Sequence, residues 1–167
     1  MDKRWILILI IIIIACGCGY FIINSSTTVG NAIADVNKFT VTIPEGFSSG
    51  ESASTSLLLI KKQSVEKIYI EDLGKKDIAL DKYNSDAKKL SNIISNSTEK
   101  IEGITVYTLY YEDSSNSNSL NMSNSYLCTY GHTFLVKMTG FDNTDDMNKN
   151  LNFVAKTLKP DYKQSQD

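Results

Sequence analysis

The single histidine of the sequence is the residue type most able to carry chemistry. His132 could act as a metal ligand or as a general base. A zinc site needs three or four nitrogen and sulfur ligands at set spacing, and Cys128 is the one other such residue near His132 in the sequence. Gly131 and His132 lie between two predicted strands, so we expect an exposed histidine in a hairpin turn. The sequence therefore predicts no metal site.

Acidic pairs and serines are the other candidates for a chemical role. Glu112-Asp113 and Asp145-Asp146 lack the alternating ligands, the glycine turn and the closing glutamate of a calcium loop. We interpret Asp145 and Asp146 as the start of a helix, and Glu112 and Asp113 as the edge of a polar loop. The single histidine is predicted to lie in a turn and leaves no credible catalytic triad for a serine, and the sequence contains no glycine-rich phosphate loop. It therefore predicts a protein that is not an enzyme, with no catalytic residue and no cofactor.

Three residues are candidates for covalent modification. Residues 13–16 (IIAC) resemble a lipobox, which makes Cys16 a candidate for lipidation. Asn96 and Asn121 each begin an Asn-x-Ser/Thr sequon. Both asparagines fall in predicted loops, where N-glycosylation would be accessible.

The N-terminal part of the chain contains a long hydrophobic segment. Residues 5–23 carry no charge, and as a helix they would span about 28 Å, close to the ~30 Å of a hydrocarbon core. Lys3 and Arg4 precede the segment, so the positive-inside rule places residues 1–4 in the cytoplasm and the rest of the chain outside. We expect a transmembrane helix that anchors the chain in the lipid bilayer. The alternative is a lipoprotein-type signal anchor processed at Cys16.

The remainder of the chain is long enough for one domain. We expect a linker over residues 24–37, an extracytoplasmic domain over residues 38–160 and a tail over residues 161–167. With 17 basic and 19 acidic residues the chain has no basic excess, which argues against a nucleic-acid partner. Cys128 is far in the chain from Cys16 and Cys18, so no disulfide is expected.

Apolar spacing predicts seven strands and two helices in this domain. The predicted strands are residues 39–43, 56–61, 65–71, 97–101, 104–111, 125–130 and 133–139. The predicted helices carry stripes formed by Leu80, Tyr83, Ala87, Leu90 and Ile94, and by Met147, Leu151, Val154 and Leu158. Short turns between strands imply a mainly antiparallel sheet, and residues 104–111 are apolar on both faces. The pattern predicts an α+β fold in which helices flank the sheet as an α/β/α sandwich.

Several stretches resemble the PsbP-like domain family. Residues 39–47 (FTVTIPEGF) are similar to its opening strand, proline turn and aromatic residue. Residues 103–107 (GITVY), residues 126–136 (YLCTYGHTFLV) and a terminal helix ending at Leu158 are similar to its later part. The resemblance covers nearly all of residues 38–160. It implies a membrane-anchored member with an α/β/α sandwich used for binding and assembly, without a shared catalytic motif.

Two functional hypotheses follow from these features. The leading hypothesis is a non-enzymatic, membrane-tethered binding or accessory module of the cell envelope that engages an unknown protein partner. The alternative is an envelope lipoprotein that binds a small solute in a cleft of the sandwich. A deep apolar pocket with converging polar groups would favour the solute, whereas a continuous exposed aromatic patch would favour the protein partner.

Overall fold

The computed structural model describes residues 32–36, 38–112 and 121–161. These residues belong to one unit of the chain that begins at Ala32. The predicted membrane segment (residues 5–23) and Cys16 lie outside the described ranges. Within those ranges, no helix is both long enough and apolar enough to cross a membrane.

The described residues form two antiparallel sheets and two helices. The strands are β1 (Ile33–Val36), β2 (Phe39–Thr42), β3 (Phe47–Ala53), β4 (Ser56–Lys61), β5 (Lys67–Asp72), β6 (Ile93–Ile101), β7 (Ile104–Glu112), β8 (Asn121–Thr129), β9 (His132–Phe141) and β10 (Lys159–Pro160). The helices are α1 (Ala79–Lys89) and α2 (Thr144–Thr157). The larger sheet has the order β3-β4-β5-β9-β8-β7-β6, and the smaller sheet has the order β1-β2-β10.

The two helices pack on opposite faces of the larger sheet. Tyr107 of β7 contacts Tyr83 of α1, with ring centroids 5.7 Å apart. Tyr110, three residues further along β7, donates a hydrogen bond to Asn148 of α2. Side chains alternate between the faces of a strand, so these two tyrosines point to opposite sides. The predicted α+β fold, with mainly antiparallel strands and two helices, is confirmed.

The hydrophobic core lies between α2, the smaller sheet and one face of the larger sheet. Phe39 of β2 meets Phe134 of β9 edge to face, with ring centroids 5.6 Å apart. Met147, Leu151 and Val154 are buried in this layer, as the predicted stripe required. Burial of apolar side chains of this size is the main contribution to the free energy of folding.

The start of α2 confirms the interpretation of its acidic pair. The Asp146 N–H donates to Oδ1 of Asn143, the N-cap residue, at 2.8 Å. Asp145 and Asp146 lie in the first turn of the helix. Carboxylates at this end are stabilised by the partial positive charge of the helix N-terminus.

Helix α1 occurs where the spacing predicted a helix, but the two ends of its apolar stripe are exposed or lie outside the helix. Leu80 is 48% exposed, and Ala79 is the buried residue of the helix. Ile94, predicted as the last member of the stripe, lies in β6 because the helix ends at Lys89. The middle of the stripe does face the sheet, because Tyr83, Ala87 and Leu90 are half-buried and Tyr83 packs on Tyr107.

Polar contacts also hold α1 on the sheet. Asp86 Oδ2 accepts hydrogen bonds from Nδ2 of Asn124, at 2.9 Å, and from the hydroxyl of Tyr126. The hydroxyl of Tyr111 donates to Oδ1 of the same asparagine at 3.0 Å. Burial and the Asp86 carboxylate raise the pKa of Tyr126, so its phenol stays protonated and remains a donor.

Two strands of four or more residues occur where the sequence predicted none. Ile33–Val36, within the predicted linker of residues 24–37, forms β1 by pairing with β2, and it buries Ala34 and Val36. Phe47–Ala53 forms the edge strand β3, in which every residue after Phe47 is exposed. Neither strand carries a long alternating apolar run. Each is defined by its backbone pairing with a neighbouring strand. Apolar spacing could not reveal either one.

Candidate functional site

A cleft of about 780 Å³ opens at the end of the larger sheet where the β6–β7 and β8–β9 turns lie. These two turns form one wall of the cleft. The start of α1 forms the second wall, and the last turn of α2 forms the third. The lining side chains that bear on its chemistry are Asp77, Leu80, Asp81, Glu102, Tyr130 and Lys156.

Both turns of the cleft have two central residues with positive φ. These are Glu102 (+50°) and Gly103 (+88°) in the β6–β7 turn, and Tyr130 (+50°) and Gly131 (+78°) in the β8–β9 turn. Positive φ at both positions defines the type I′ hairpin turn. The first turn lies where it was predicted. The second was predicted at Gly131 and His132, one residue too late, so His132 begins β9 instead of lying in the turn.

Hydrogen bonds fix the second wall of the cleft to β9. The Ile78 N–H donates to Oγ1 of Thr133 at 3.0 Å, and this hydroxyl donates to the carbonyl oxygen of Lys76 at 2.5 Å. The Ala79 N–H donates to Oδ1 of Asp77 at 3.4 Å. The start of α1 is therefore anchored, and two of its backbone amides already have partners.

The cleft carries more negative than positive charge. Asp77, Asp81 and Glu102 are exposed carboxylates. Among the lining residues that the structure describes, Lys156 is the basic one; its Nζ lies 3.7 Å from Oε1 of Glu102, with the two side chains 48% and 63% exposed. So exposed an ion pair contributes little to stability. The net charge of the cleft is negative, and its field attracts cations.

Apolar surface accompanies this charge. Leu80 and Tyr130 both line the cleft, although 48% and 61% of their surface is exposed. Apolar side chains that lie together within a polar rim are a feature of binding surfaces. The cleft can therefore offer both charge attraction and apolar contact to the same ligand.

Cys128 is the nucleophilic side chain of the cleft, and its surroundings make it unreactive. Burial and the nearby Asp77 carboxylate raise the pKa of the Cys128 thiol. The thiolate is the reactive form of cysteine, so this side chain stays protonated and weakly nucleophilic at neutral pH. The Cys128 side chain is itself half-buried.

The structure corrects the sequence interpretation of His132. The side chain is half-buried, and Nδ1 lies 3.1 Å from Oδ2 of Asp72, whose carboxylate is buried. Asp72 also accepts a hydrogen bond from the Gly74 N–H at 2.8 Å. The histidine was predicted to be an exposed residue without partners, but it pairs with a buried carboxylate. Across the described ranges, no three His, Cys, Asp or Glu side chains lie close enough together to hold a metal ion.

The two candidate glycosylation sites lie in strands, not in the predicted loops. Asn96 is exposed on β6, which forms an edge of the larger sheet. Asn121 begins β8, and its Nδ2 donates to the carbonyl oxygens of Phe141 (3.2 Å) and Asp142 (2.9 Å). The asparagine nitrogen that would carry a glycan is therefore accessible at Asn96 and engaged at Asn121. Neither residue lines the cleft.

The likeness to known proteins is one of fold. No protein-family model and no curated protein matches the sequence. A protein from Bacteroides thetaiotaomicron VPI-5482 matches 83% of this chain with a TM-score of 0.60 and 15% identity, and this chain spans about half (51%) of its length. The cyanobacterial PsbP protein CyanoP of Synechocystis sp. PCC 6803 matches with a TM-score of 0.51 and 14% identity, over 82% of this chain and 96% of CyanoP. The Ran-binding protein Mog1p of Saccharomyces cerevisiae gives a TM-score of 0.51 and 8% identity, over 78% and 95% of the two chains. The described domain has a PsbP-like α+β fold.

Proposed function

We propose that this chain is a non-enzymatic binding module of the cell envelope. In this proposal the N-terminal segment tethers it to the membrane, and the domain engages a protein partner outside the cytoplasm. The observation that carries the proposal is the cleft at the end of the larger sheet, where carboxylates and exposed apolar side chains from three separate elements lie together.

The exposure of the cleft favours a protein over a small solute as the ligand. Solute pockets typically bury 70–90% of their ligand's surface. Here Asp77, Asp81, Glu102 and Tyr130 are all exposed, so a small molecule among them would remain in contact with water. A protein surface could cover the whole rim and exclude that water. Mog1p, which shares the fold, is a Ran-binding protein.

Solute binding by an envelope lipoprotein is the second candidate. The cleft volume of about 780 Å³ falls within the range of roughly 300–1,000 Å³ that is usual for small-molecule pockets. The candidate lipidation residue Cys16 would supply the anchor. A solute ligand would bind to the purified chain without any second protein, and this distinguishes it from the leading proposal.

The tether is supported by the order of charge and hydrophobicity at the N-terminus. Lys3 and Arg4 precede the uncharged segment of residues 5–23, the arrangement that keeps an N-terminus in the cytoplasm. The non-enzymatic character is supported by Cys128, whose thiol has a raised pKa.

Cross-linking on intact cells tests both the location and the partner. We define a cleft variant and a control variant that change the net charge equally. The cleft variant carries Asp77→Asn, Asp81→Asn and Glu102→Asn, and the control variant carries Glu45→Gln, Glu51→Gln and Glu112→Gln. The three glutamates of the control are exposed, and none lines the cleft.

We expect a membrane-impermeant cross-linker to join the wild-type chain and the control variant to the same protein. The cleft variant should yield at least about tenfold less of this product, since three charged contacts are lost. Quantitative mass spectrometry of the captured complexes measures the ratio. Equal yields from all three chains would contradict the cleft as the binding site, and complete protection from the reagent would contradict the extracytoplasmic location.

A further inference from the structure

The chemistry of the cleft specifies the kind of partner that it fits. The cleft is lined by three carboxylates, those of Asp77, Asp81 and Glu102, and by one basic side chain, that of Lys156. The carboxylates would repel a phosphate-bearing ligand such as a nucleic acid or an anionic lipid headgroup. The start of α1 does not offset this repulsion, because the amides of Ile78 and Ala79 already donate to protein oxygens. Charge complementarity therefore requires a cation.

Apolar contact is the second requirement. Five large apolar side chains are strongly exposed among the described residues, and two of them, Leu80 and Tyr130, line this cleft. An aromatic ring can also hold an ammonium or guanidinium group over its face. A ligand that uses the whole cleft thus carries a positive charge next to an apolar group.

The turn residues supply independent support. The first central position of a type I′ turn favours Asn, Asp or Gly, because φ is positive there. Both turns of the cleft place another residue at this position, Glu102 and Tyr130. Neither residue is the one that best stabilises its hairpin, yet both side chains line the cleft. Both side chains are therefore placed where they can contact a ligand in the cleft.

We propose that the cleft binds a basic peptide segment of the partner, in which a lysine or arginine lies next to an apolar side chain. This inference rests on the proposed function and names the partner's chemistry. The basic side chain meets the carboxylates of Asp81 and Glu102 and displaces Lys156 from its 3.7 Å contact with Glu102. The apolar side chain packs between Leu80 and Tyr130.

Peptide binding to the full chain in zwitterionic lipid nanodiscs tests this inference, with empty nanodiscs as the blank. The probe is a fluorescein-labelled nonapeptide of glycine and serine that carries two lysines and one leucine. A second peptide replaces the lysines with glutamates, and a third replaces the leucine with serine. We expect saturable binding of the lysine–leucine peptide, measured by fluorescence anisotropy and weakened by salt. We expect weaker binding of the third peptide and none of the second.

Substitutions at the turns separate binding from folding. Tyr130→Asn and Glu102→Asn each create an Asn-Gly turn, the sequence that type I′ geometry prefers. The melting temperature should stay the same or rise, while the peptide affinity falls. Gln63 also has positive φ (+59°) but does not line the cleft, so Gln63→Asn should leave the affinity unchanged. The cleft variant should bind the peptide about tenfold more weakly than the control variant.

The outcomes distinguish this inference from the proposed function. Equal affinity for the lysine and glutamate peptides, or equal affinity of the cleft and control variants, would overturn the inference. Absence of peptide binding, with cross-linking of the cellular partner still sensitive to the cleft variant, would overturn the basic-peptide inference and leave the proposed function standing. If no peptide binds and the cleft variant cross-links to the cellular partner as well as the control variant does, both proposals are overturned.

Discussion

Replacing Gly140 with alanine should destabilise the domain by about 2–5 kcal/mol. Gly140 is buried in β9 with φ +81°. It is the extra residue between the pairs Met122–Thr139 and Asn121–Phe141, which makes it the glycine of a β-bulge. A Cβ at this position would lie 2.4 Å from the carbonyl oxygen of Val65. Because that neighbour is backbone, the clash can be relieved only by moving the β4–β5 turn.

Gly103→Ala is the matched control for this substitution. Gly103 has a similar φ of +88°, but its added Cβ would meet nothing within 4 Å. This variant should therefore lose only the cost of the left-handed backbone, about 1–2 kcal/mol. Chemical denaturation followed by circular dichroism gives both free energies of unfolding. Equal losses in the two variants would show that the contact with Val65 does not constrain the fold.

Leu109→Ala should also cost about 2–5 kcal/mol, because it removes buried methyl groups and leaves a cavity. Leu109 is 1% exposed and lies on the face of β7 that α1 covers. Its neighbour on β8 is Asn124, which donates a hydrogen bond to Asp86 of α1. Domains of this size are stable by roughly 5–15 kcal/mol, so the loss is a large fraction of the total. Equilibrium unfolding in urea measures it.

Leu58 provides the comparison on the same face of the sheet. The strand register places Leu58 in one row with Tyr69, Lys137, Asn124 and Leu109. Leu58 is half-buried, so Leu58→Ala should cost only about 1 kcal/mol. A loss at Leu58 as large as that at Leu109 would contradict the view that α1 specifically protects the β7 end of this face.

The elements that could be predicted from the sequence are those with a buried apolar face. Strand β4 and helix α2 occur at their predicted positions because their apolar residues recur with the period of the element. Strand β3 is nearly all exposed, so apolar spacing missed it. Helix α1 exposes Leu80, so apolar spacing placed the helix but overstated the extent of its buried side. The resemblance to PsbP-like domains correctly indicated the fold.

The cleft could not be predicted, because its residues come from distant parts of the chain. The folded sheet brings together four residues that are far apart in the sequence: Asp77, Glu102, Tyr130 and Lys156. The pairing of His132 with Asp72 joins residues 60 positions apart, and an error of one residue in the predicted turn concealed it. One local signal was present: Glu-Gly and Tyr-Gly occupy turn positions where Asn-Gly or Asp-Gly is usual.

Site-specific photo-cross-linking in native membranes tests the central claim most directly. Tyr130 and Val65 are both exposed, at 61% each, and lie at opposite ends of the larger sheet. Each is replaced in turn by benzoylphenylalanine, which preserves an exposed apolar side chain at both positions. We predict a product of one discrete mass from position 130 and none of that mass from position 65. The same product from both positions, or from position 65 alone, would contradict the cleft as the surface that binds the partner.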